Sequence, residues 1–319
     1  MKLLQVSKIF KEGANGSIVD NISFSLRRHQ KIALAGETGS GKSTVFKIIA
    51  GLLHPDRGEV VFENSVVSNR DALIPGTPGI AYLSQDFALS KSLRVEQILE
   101  YANERPVAES TRLYKVCKIS HLLKRRANEL SGGERQRIAI AQLLTTSPTL
   151  LLLDEPYSNL DRVHKTLLKS VIDNIGTRLG ITCMIISHDP EDLLSWADTI
   201  MILKRGKLVQ QGAPEKIYNS PKTAYVAGLL GRYTVVRPAS PWQLEIRDVP
   251  AARIKWYARP ENITLQPGGK GEGIVRRILF LGDHYVVEVS SNGQTVTAKS
   301  AHGNYQVGEN VRFELTHTT

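Results

Sequence analysis

The stretch Gly36-Glu37-Thr38-Gly39-Ser40-Gly41-Lys42-Ser43-Thr44 constrains this chain more than any other. It satisfies the pattern G-x-x-x-x-G-K-[ST] in full, with an additional central glycine and a second hydroxyl residue behind the first. The apolar run Lys31-Ile32-Ala33-Leu34-Ala35 precedes it and Val45-Phe46-Lys47-Ile48-Ile49-Ala50 follows, which predicts a strand, a tight loop and then a helix. In that context the glycines let the backbone curl so that successive N–H groups converge on phosphate oxygens, and the helix adds the positive end of its dipole. All of these positions are candidate nucleotide contacts. Lys42 is expected to reach the β and γ phosphates, and Ser43 to hold Mg²⁺ through its hydroxyl.

With 319 residues the chain is long enough for two domains, one near average size and one smaller. Hydrophobic residues make up 41% and charged residues 23%, as in an ordinary soluble globular protein. No apolar run comes near the roughly 20 residues that span a bilayer. Nor does Met1-Lys2-Leu3-Leu4-Gln5 have the apolar centre of a secretory signal. Cys117 and Cys183 lie far apart without metal-ligand spacing, so neither a disulfide framework nor a zinc site is indicated, and a cytoplasmic location is expected. The formal charge of +10 fits an anionic membrane surface, or a well-solvated basic protein that handles a polyanionic nucleotide. Nucleic acid is not an expected partner, because basic residues are scattered apart from Lys124-Arg125-Arg126 and aromatics amount to only 6%.

Along the chain, Leu3 to Phe10 has the mixed pattern of an edge strand, and Ser17 to Leu26 alternates as a half-buried one. Short strands are also expected at Glu59 to Phe62 and Gly79 to Ser84, the latter ending at Gln85. From about residue 86 to 145 the spacing turns helical, first around Leu93, Ile98, Leu99 and Ala102, then around Leu113, Val116 and Cys117. That segment ends in Leu130-Ser131-Gly132-Gly133-Glu134-Arg135-Gln136-Arg137 and the helix behind it. The run Thr149 to Leu153, wholly apolar after its first residue and followed by Asp154 and Glu155, suits a central parallel strand buried on both faces. A helix from about Asp161 to Leu179 and a second apolar strand ending at His188 follow. Two short helices near Glu215 and Thr223 complete an α/β domain expected to span residues 1–230. Residues 231–319 read instead as a small all-β unit of barrel type, with strands at Trp242 to Ile246, Ile254 to Ala258, Gly273 to Leu281, Tyr285 to Val289, Thr295 to Lys299 and Val311 to Leu315. Ser291-Asn292-Gly293 marks a hairpin turn in it.

The phosphate loop, Gln85, Leu130-Ser131-Gly132-Gly133-Glu134, Asp154-Glu155 and His188, in this order, resemble the ATP-binding subunits of ABC transporters. The resemblance covers nearly all of the first domain. Its most discriminating element is Leu-Ser-Gly-Gly followed by Glu-Arg-Gln-Arg. Arg259-Pro260-Glu261-Asn262-Ile263 and the segment from Gly273 to Gly282-Asp283 look like the small TOBE, or OB-like, β domain on ATPases that import sugars, polyamines, sulfate or ferric iron. The resemblance implies a P-loop ATPase core with a helical subdomain, followed by a small β-barrel domain, and hydrolysis of ATP with Mg²⁺.

For single residues it implies that Asp154 holds Mg²⁺ opposite Ser43, and that Glu155 polarises the attacking water as general base. Gln85 would touch both metal and water, His188 would donate to the γ-phosphate, and Phe10 would stack on adenine. Ser131, Gly132 and Gly133 would cover the γ-phosphate held by a second copy, in a head-to-tail homodimer with Ser158-Asn159-Leu160-Asp161 along its interface. Phe87 and Leu89 are candidates to receive a transmembrane permease subunit, and a solute-binding protein is implied in the full system. A soluble ATPase acting on nucleic acid or ribosomes is the alternative, and a reading in which the β barrel senses a ligand also stays open. Gln142 stands where relatives often have arginine.

Overall fold

The computed structural model describes residues 2–14, 16–67, 76–236, 256–268 and 273–315. The chain forms two compact units, Met1–Pro214 and Glu215–Thr319.

In the first unit, β1 (Lys2–Gly13) and β2 (Gly16–Arg27) make an antiparallel hairpin. After β3 (Ile32–Ala35) and α1 (Lys42–Ile49), the strands β4 (Arg57–Phe62) and β5 (Ser65–Val66) extend it into a sheet ordered β2-β1-β4-β5. β1 is therefore an interior strand and not the edge strand that its pattern suggests, with Leu4 opposite both Leu26 and Phe62. Register shifts between Lys2 and Leu4 and between Val6 and Ile9 break the period of two, so the adjacent Leu3 and Leu4 are both buried.

The chain continues through β6 (Ile80–Leu83), α2 (Val95–Tyr101), α3 (Val107–Val116), α4 (Gly132–Leu144), β7 (Leu150–Asp154), α5 (Arg162–Leu179), β8 (Thr182–Ile186), α6 (Pro190–Trp196), β9 (Thr199–Lys204) and β10 (Lys207–Gly212). These strands and β3 build a second sheet, ordered β10-β9-β3-β8-β7-β6 and parallel except for β10. Every residue of β3, β7 and β8 is buried, as a central parallel strand covered on both faces requires. Helix formation begins only at Val95, later than the spacing around Leu93 suggests. Arg94 is extended there, and its N–H donates to Gln97 Oε1 at 3.0 Å, which sets the start of α2.

Between the two sheets, Val45, Phe46, Ile48 and Ile49 of α1 join one core with Leu4, Val6 and Ile9 of β1 and Leu150, Leu152, Met184 and Ile186 of β7 and β8. Each side chain of this kind contributes about 1.5–3 kcal/mol on full burial, so α1 is held firmly under the phosphate loop. Ile186 is in register with both Leu34 and Asp154. That register sets the carboxyl ends of β3, β7 and β8 side by side, where open α/β sheets bind ligands.

The second unit takes up α7 (Pro214–Asn219) from its second residue and continues through α8 (Ala224–Leu229), then β11 (Thr234–Val236) paired with β12 (Trp256–Ala258). Five further strands, β13 (Ile263–Pro267), β14 (Gly273–Phe280), β15 (Tyr285–Ser291), β16 (Gln294–Ser300) and β17 (Asn310–Leu315), form an antiparallel sheet ordered β13-β17-β14-β15-β16. Its end strands β13 and β16 lie close together, and Val275, Val287, Val289, Val296, Val311 and Phe313 fill its core. Asn292 and Gly293, at φ 47° and 74°, make the expected hairpin turn between β15 and β16. The expected strand Trp242 to Ile246 and the start of the one at Ile254 lie outside the described residues.

Arg259 is fully buried in this unit. Its guanidinium donates to the carbonyls of Tyr218 at 3.1 Å, Ala227 at 2.9 Å, Arg232 at 3.2 Å and Gly231 at 3.3 Å. It also stacks on the Tyr218 ring at 4.0 Å, and burial pulls its pKa below the usual arginine value. The expected domain boundary near residue 230 falls within this second unit.

Candidate nucleotide site

The phosphate loop leaves β3 at Ala35 and enters α1 at Lys42. Gly36 has φ 153°, and a Cβ there would lie 2.3 Å from the Leu203 carbonyl oxygen. Gly41 caps α1 at φ 97°, where a Cβ would lie 2.4 Å from the Ile18 carbonyl oxygen. Both positions demand glycine on conformation and on space. Among the described residues α1 has no side-chain cap and no acidic residue in its first turn, so its leading N–H groups stay available to an anion. Lys42 is buried, and its Nζ folds back to donate to the carbonyls of Gly36 and Glu37, both at 2.9 Å. Burial lowers the pKa of this ammonium, against the opposing pull of Glu155, Asp154 and Glu37. Ser40 Oγ is buried without a hydrogen-bond partner among the described residues, Ser43 and Thr44 are half-buried, and Glu37, Thr38 and Gly39 are exposed.

Two carboxylates face this loop. Asp154 closes β7 and is buried, and Tyr82 of β6 donates its hydroxyl to Asp154 Oδ2 at 2.9 Å. Burial and the Asp154 charge push the Tyr82 phenol well above its ordinary pKa. Glu155 takes the left-handed region at φ 49°, a conformation that costs a residue with a Cβ on the order of 1 kcal/mol. Its N–H bonds the Ile186 carbonyl at 3.1 Å, and its Oε2 lies 3.3 Å from His188 Nδ1. Gln85, Glu155, Ser158, Asn159 and His188, with Tyr157, Lys165, Ser187, Asp189 and Asp192, line a cavity of about 320 Å³. Gln85, Glu155 and His188 thus share one cavity, and Lys42 and Asp154 interact electrostatically beside it.

Two other expected contacts are placed differently. Ser131 caps α4, its Oγ accepting the Glu134 N–H at 3.3 Å while Glu134 Oε2 accepts the Ser131 N–H at 2.8 Å, a reciprocal capping box. Burial raises the Glu134 carboxyl, but the bonds from Ser131 and the charges of Arg125 and Arg137 outweigh it and hold the group below its usual pKa. Gly133 abuts α5, where a Cβ would lie 2.8 Å from His164 Cδ2, while Gly132 has open space around it. Gly133 therefore stands against α5, whereas Ser131 and Gly132 are exposed, and none of the three lines the cavity of Glu155 and His188. Phe10 is half-buried with the Arg57 guanidinium 4.2 Å above its ring. It lines a cavity of about 600 Å³ with Ser7, Lys8, Asp20, Asn21, Arg57, Gly58 and Glu59, none of them a phosphate-loop residue.

Among the described residues no group of three or more His, Cys, Asp or Glu could hold a metal ion. Mg²⁺ does not require one, since it is commonly bound through one or two protein oxygens together with phosphates and water. A buried carboxylate at Asp154, with the Ser43 hydroxyl and the Gln85 amide, fits that donor set. Tyr82 and Lys165 escaped the sequence reading; only the strand register and the approach of α5 to α6 bring them to the site.

The ABC transporter family model matches residues 19–158, and the TOBE domain model matches residues 258–318. The glucose import ATP-binding protein GlcV of Saccharolobus solfataricus is 37% identical over 235 residues, which cover 71% of this chain and 66% of that protein. The spermidine/putrescine import ATP-binding protein PotA of Borrelia garinii subsp. bavariensis is 32% identical over 309 residues, covering 89% of this chain and 87% of its own. Among solved structures, the dimeric ATP-binding cassette MJ0796 bound to ADP and Pi in a post-hydrolysis state has a similar fold, with a TM-score of 0.57 and 22% identity over 66% of this chain and 99% of that one. With its uncapped phosphate loop, its paired carboxylates and these relatives, the chain belongs to the ABC transporter family, as an ATP-hydrolysing cassette followed by a TOBE domain.

Proposed function

We propose that two copies of this chain enclose two Mg-ATP molecules head to tail, and that closing and reopening of the pair drives solute import through a separate permease. One observation carries the shared site: the N-terminus of α1 is uncapped and open to phosphate, whereas Ser131 and Gly132 at the start of α4 are exposed and do not line the cavity of Glu155 and His188. A second copy would bring its own Ser131–Gly133 to the phosphate that this arrangement leaves uncovered. The dimeric form of MJ0796 supports that reading, and the import roles of GlcV and PotA support import over action on nucleic acid.

In this reading Ser43, Asp154 and Gln85 would hold Mg²⁺, which would supply neutralisation of the charge that develops on the transferred phosphate. Lys42 exchanges its loop carbonyls for phosphate oxygens, and the amides of residues 37–44 cradle the remainder. Glu155 accepts the proton of the attacking water, His188 steadies the γ-phosphate, and Phe10 stacks on the base. The chain would work as a peripheral subunit at the cytoplasmic face of the membrane, with a solute-binding protein delivering the solute. Among the described residues no helix is long and apolar enough to cross a membrane, and the formal charge of +10 suits an anionic lipid surface. Glu155→Gln tests the scheme. Turnover should fall by about 10² or more with ATP binding kept, and light scattering should find an ATP-dependent dimer. Persistent turnover would remove the general base, and a monomer at saturating ATP would remove the shared site.

A further inference from the structure

His188 is presented by a turn whose fixation is not explained by its own contacts. Its side chain is 68% exposed, so packing does not hold it in place and its backbone must. Ser187 Oγ donates to Asp192 Oδ2 at 3.2 Å and accepts the Asp189 N–H at 3.1 Å. Asp189 caps α6 by accepting the Glu191 N–H at 2.9 Å. Facing this turn stands α5, from which Lys165 Nζ reaches Asp192 Oδ1 at 2.9 Å and also bonds Asp189 Oδ2. Lys169, one turn further on, reaches Asp192 at 2.8 Å. The buried Asp192 needs a cation, and Lys169 already supplies one. Lys165 adds the tie to Asp189, the residue immediately after His188.

The same helix begins at Asp161, whose carbonyl accepts the Lys165 N–H at 2.9 Å and whose carboxylate accepts the His164 N–H at 2.9 Å. Just before it, Ser158 and Asn159 line the cavity of Glu155 and His188. We infer that Lys165 is a positioning residue for ATP hydrolysis: it locks the His188 turn to the first turn of α5, so that a shift of Ser158–Asp161 is transmitted to His188. This rests on the reading of His188 as a γ-phosphate contact.

The test is ATP turnover by the full chain carrying Lys165→Ala, Lys165→Arg, His188→Ala and the double variant. Lys165→Ala should lower kcat about tenfold or more, because small misplacements of a positioned group are costly. KM for ATP should change by less than about threefold. Lys165→Arg should restore most of the rate. Added to His188→Ala, Lys165→Ala should lower the residual rate no further, whereas a merely structural lysine would cost the same in both backgrounds. If His188→Ala has no measurable turnover, the kcat-against-KM split and the arginine rescue decide. Asp189→Asn removes the same ion pair from the other side and serves if Lys165→Ala does not fold. Full activity of Lys165→Ala, or independent losses in the double variant, would overturn this inference and leave the proposed function standing. An unimpaired His188→Ala would overturn the role of His188 and this inference together.

Discussion

Tyr82 and Asp154 meet across neighbouring parallel strands, the phenol donating a 2.9 Å hydrogen bond to the carboxylate that closes β7. Asp154 is only 4% exposed, so removing that donor would leave a buried carboxylate oxygen without its partner. Tyr82→Phe should therefore destabilise the nucleotide-free chain by about 1.5–3 kcal/mol, the range for hydrogen bonds to charged groups. Saturating Mg-ATP should recover part of the loss. Urea unfolding with and without Mg-ATP measures both quantities, and an unchanged midpoint for the variant would show that the bond contributes nothing.

Gly132 separates the folding and catalytic duties of the α4 terminus. A Cβ there meets nothing within 4 Å and the residue is exposed, so Gly132→Leu should fold and bind ATP as the parent does. Its turnover should fall by about 10² if this surface must close over the nucleotide of another copy, as the loss of a phosphate-stabilising group does elsewhere. Steady-state hydrolysis beside equilibrium binding of a fluorescent ATP analogue distinguishes the two effects.

Lys42 combines an unfavourable burial with the phosphate contact proposed for it. Lys42→Ala removes two hydrogen bonds but also a poorly solvated charge, and these offset one another. The nucleotide-free stability should change by less than about 1 kcal/mol. Mg-ATP should no longer raise the Tm, although at 100 Kd it would stabilise the parent by about 2.7 kcal/mol. Thermal melts with and without nucleotide check both statements.

The Lys165–Asp189 pair fixes a pH window. Burial lowers the Lys165 pKa, but its bonds to Asp189 and Asp192 raise it further, to above its ordinary value. Its contribution is then complete below the unfolded pKa of about 10.4 and disappears as pH rises through the folded value. For Asp189 burial raises the pKa, and the bonds from Lys165 and the Glu191 N–H carry it below the ordinary value. Its contribution is present above about pH 4 and fades as pH falls through the folded value. Asp189→Asn should therefore melt below the parent at neutral pH, with the gap closing as pH falls through the lowered folded pKa of Asp189. A gap that persists into acid would assign the loss to something other than charge.

Much of this was legible in the residues because local chemistry and tertiary place agree. The phosphate loop, the apolar run into Asp154-Glu155 and the Asn292-Gly293 turn each have one inexpensive conformation, and the structure adopts it. What escaped depends on register and on contacts between distant segments. Bulges disguised β1 as an edge strand, and Tyr82 lies beside Asp154 only because β6 pairs with β7. Lys165 reads as one more basic residue on a helix until α6 is packed against it. Phe10 was readable as an aromatic just before a glycine- and asparagine-containing loop, but the arginine over its ring was not.

The buried Arg259 has a practical corollary for anyone who divides this protein. Cutting the polypeptide after residue 230 would strand the main-chain oxygens of Tyr218 and Ala227 on one fragment and an orphaned cation on the other. A scission between Pro214 and Glu215, just after the first residue of α7, spares both halves that injury, so a stand-alone C-terminal piece should begin at Glu215.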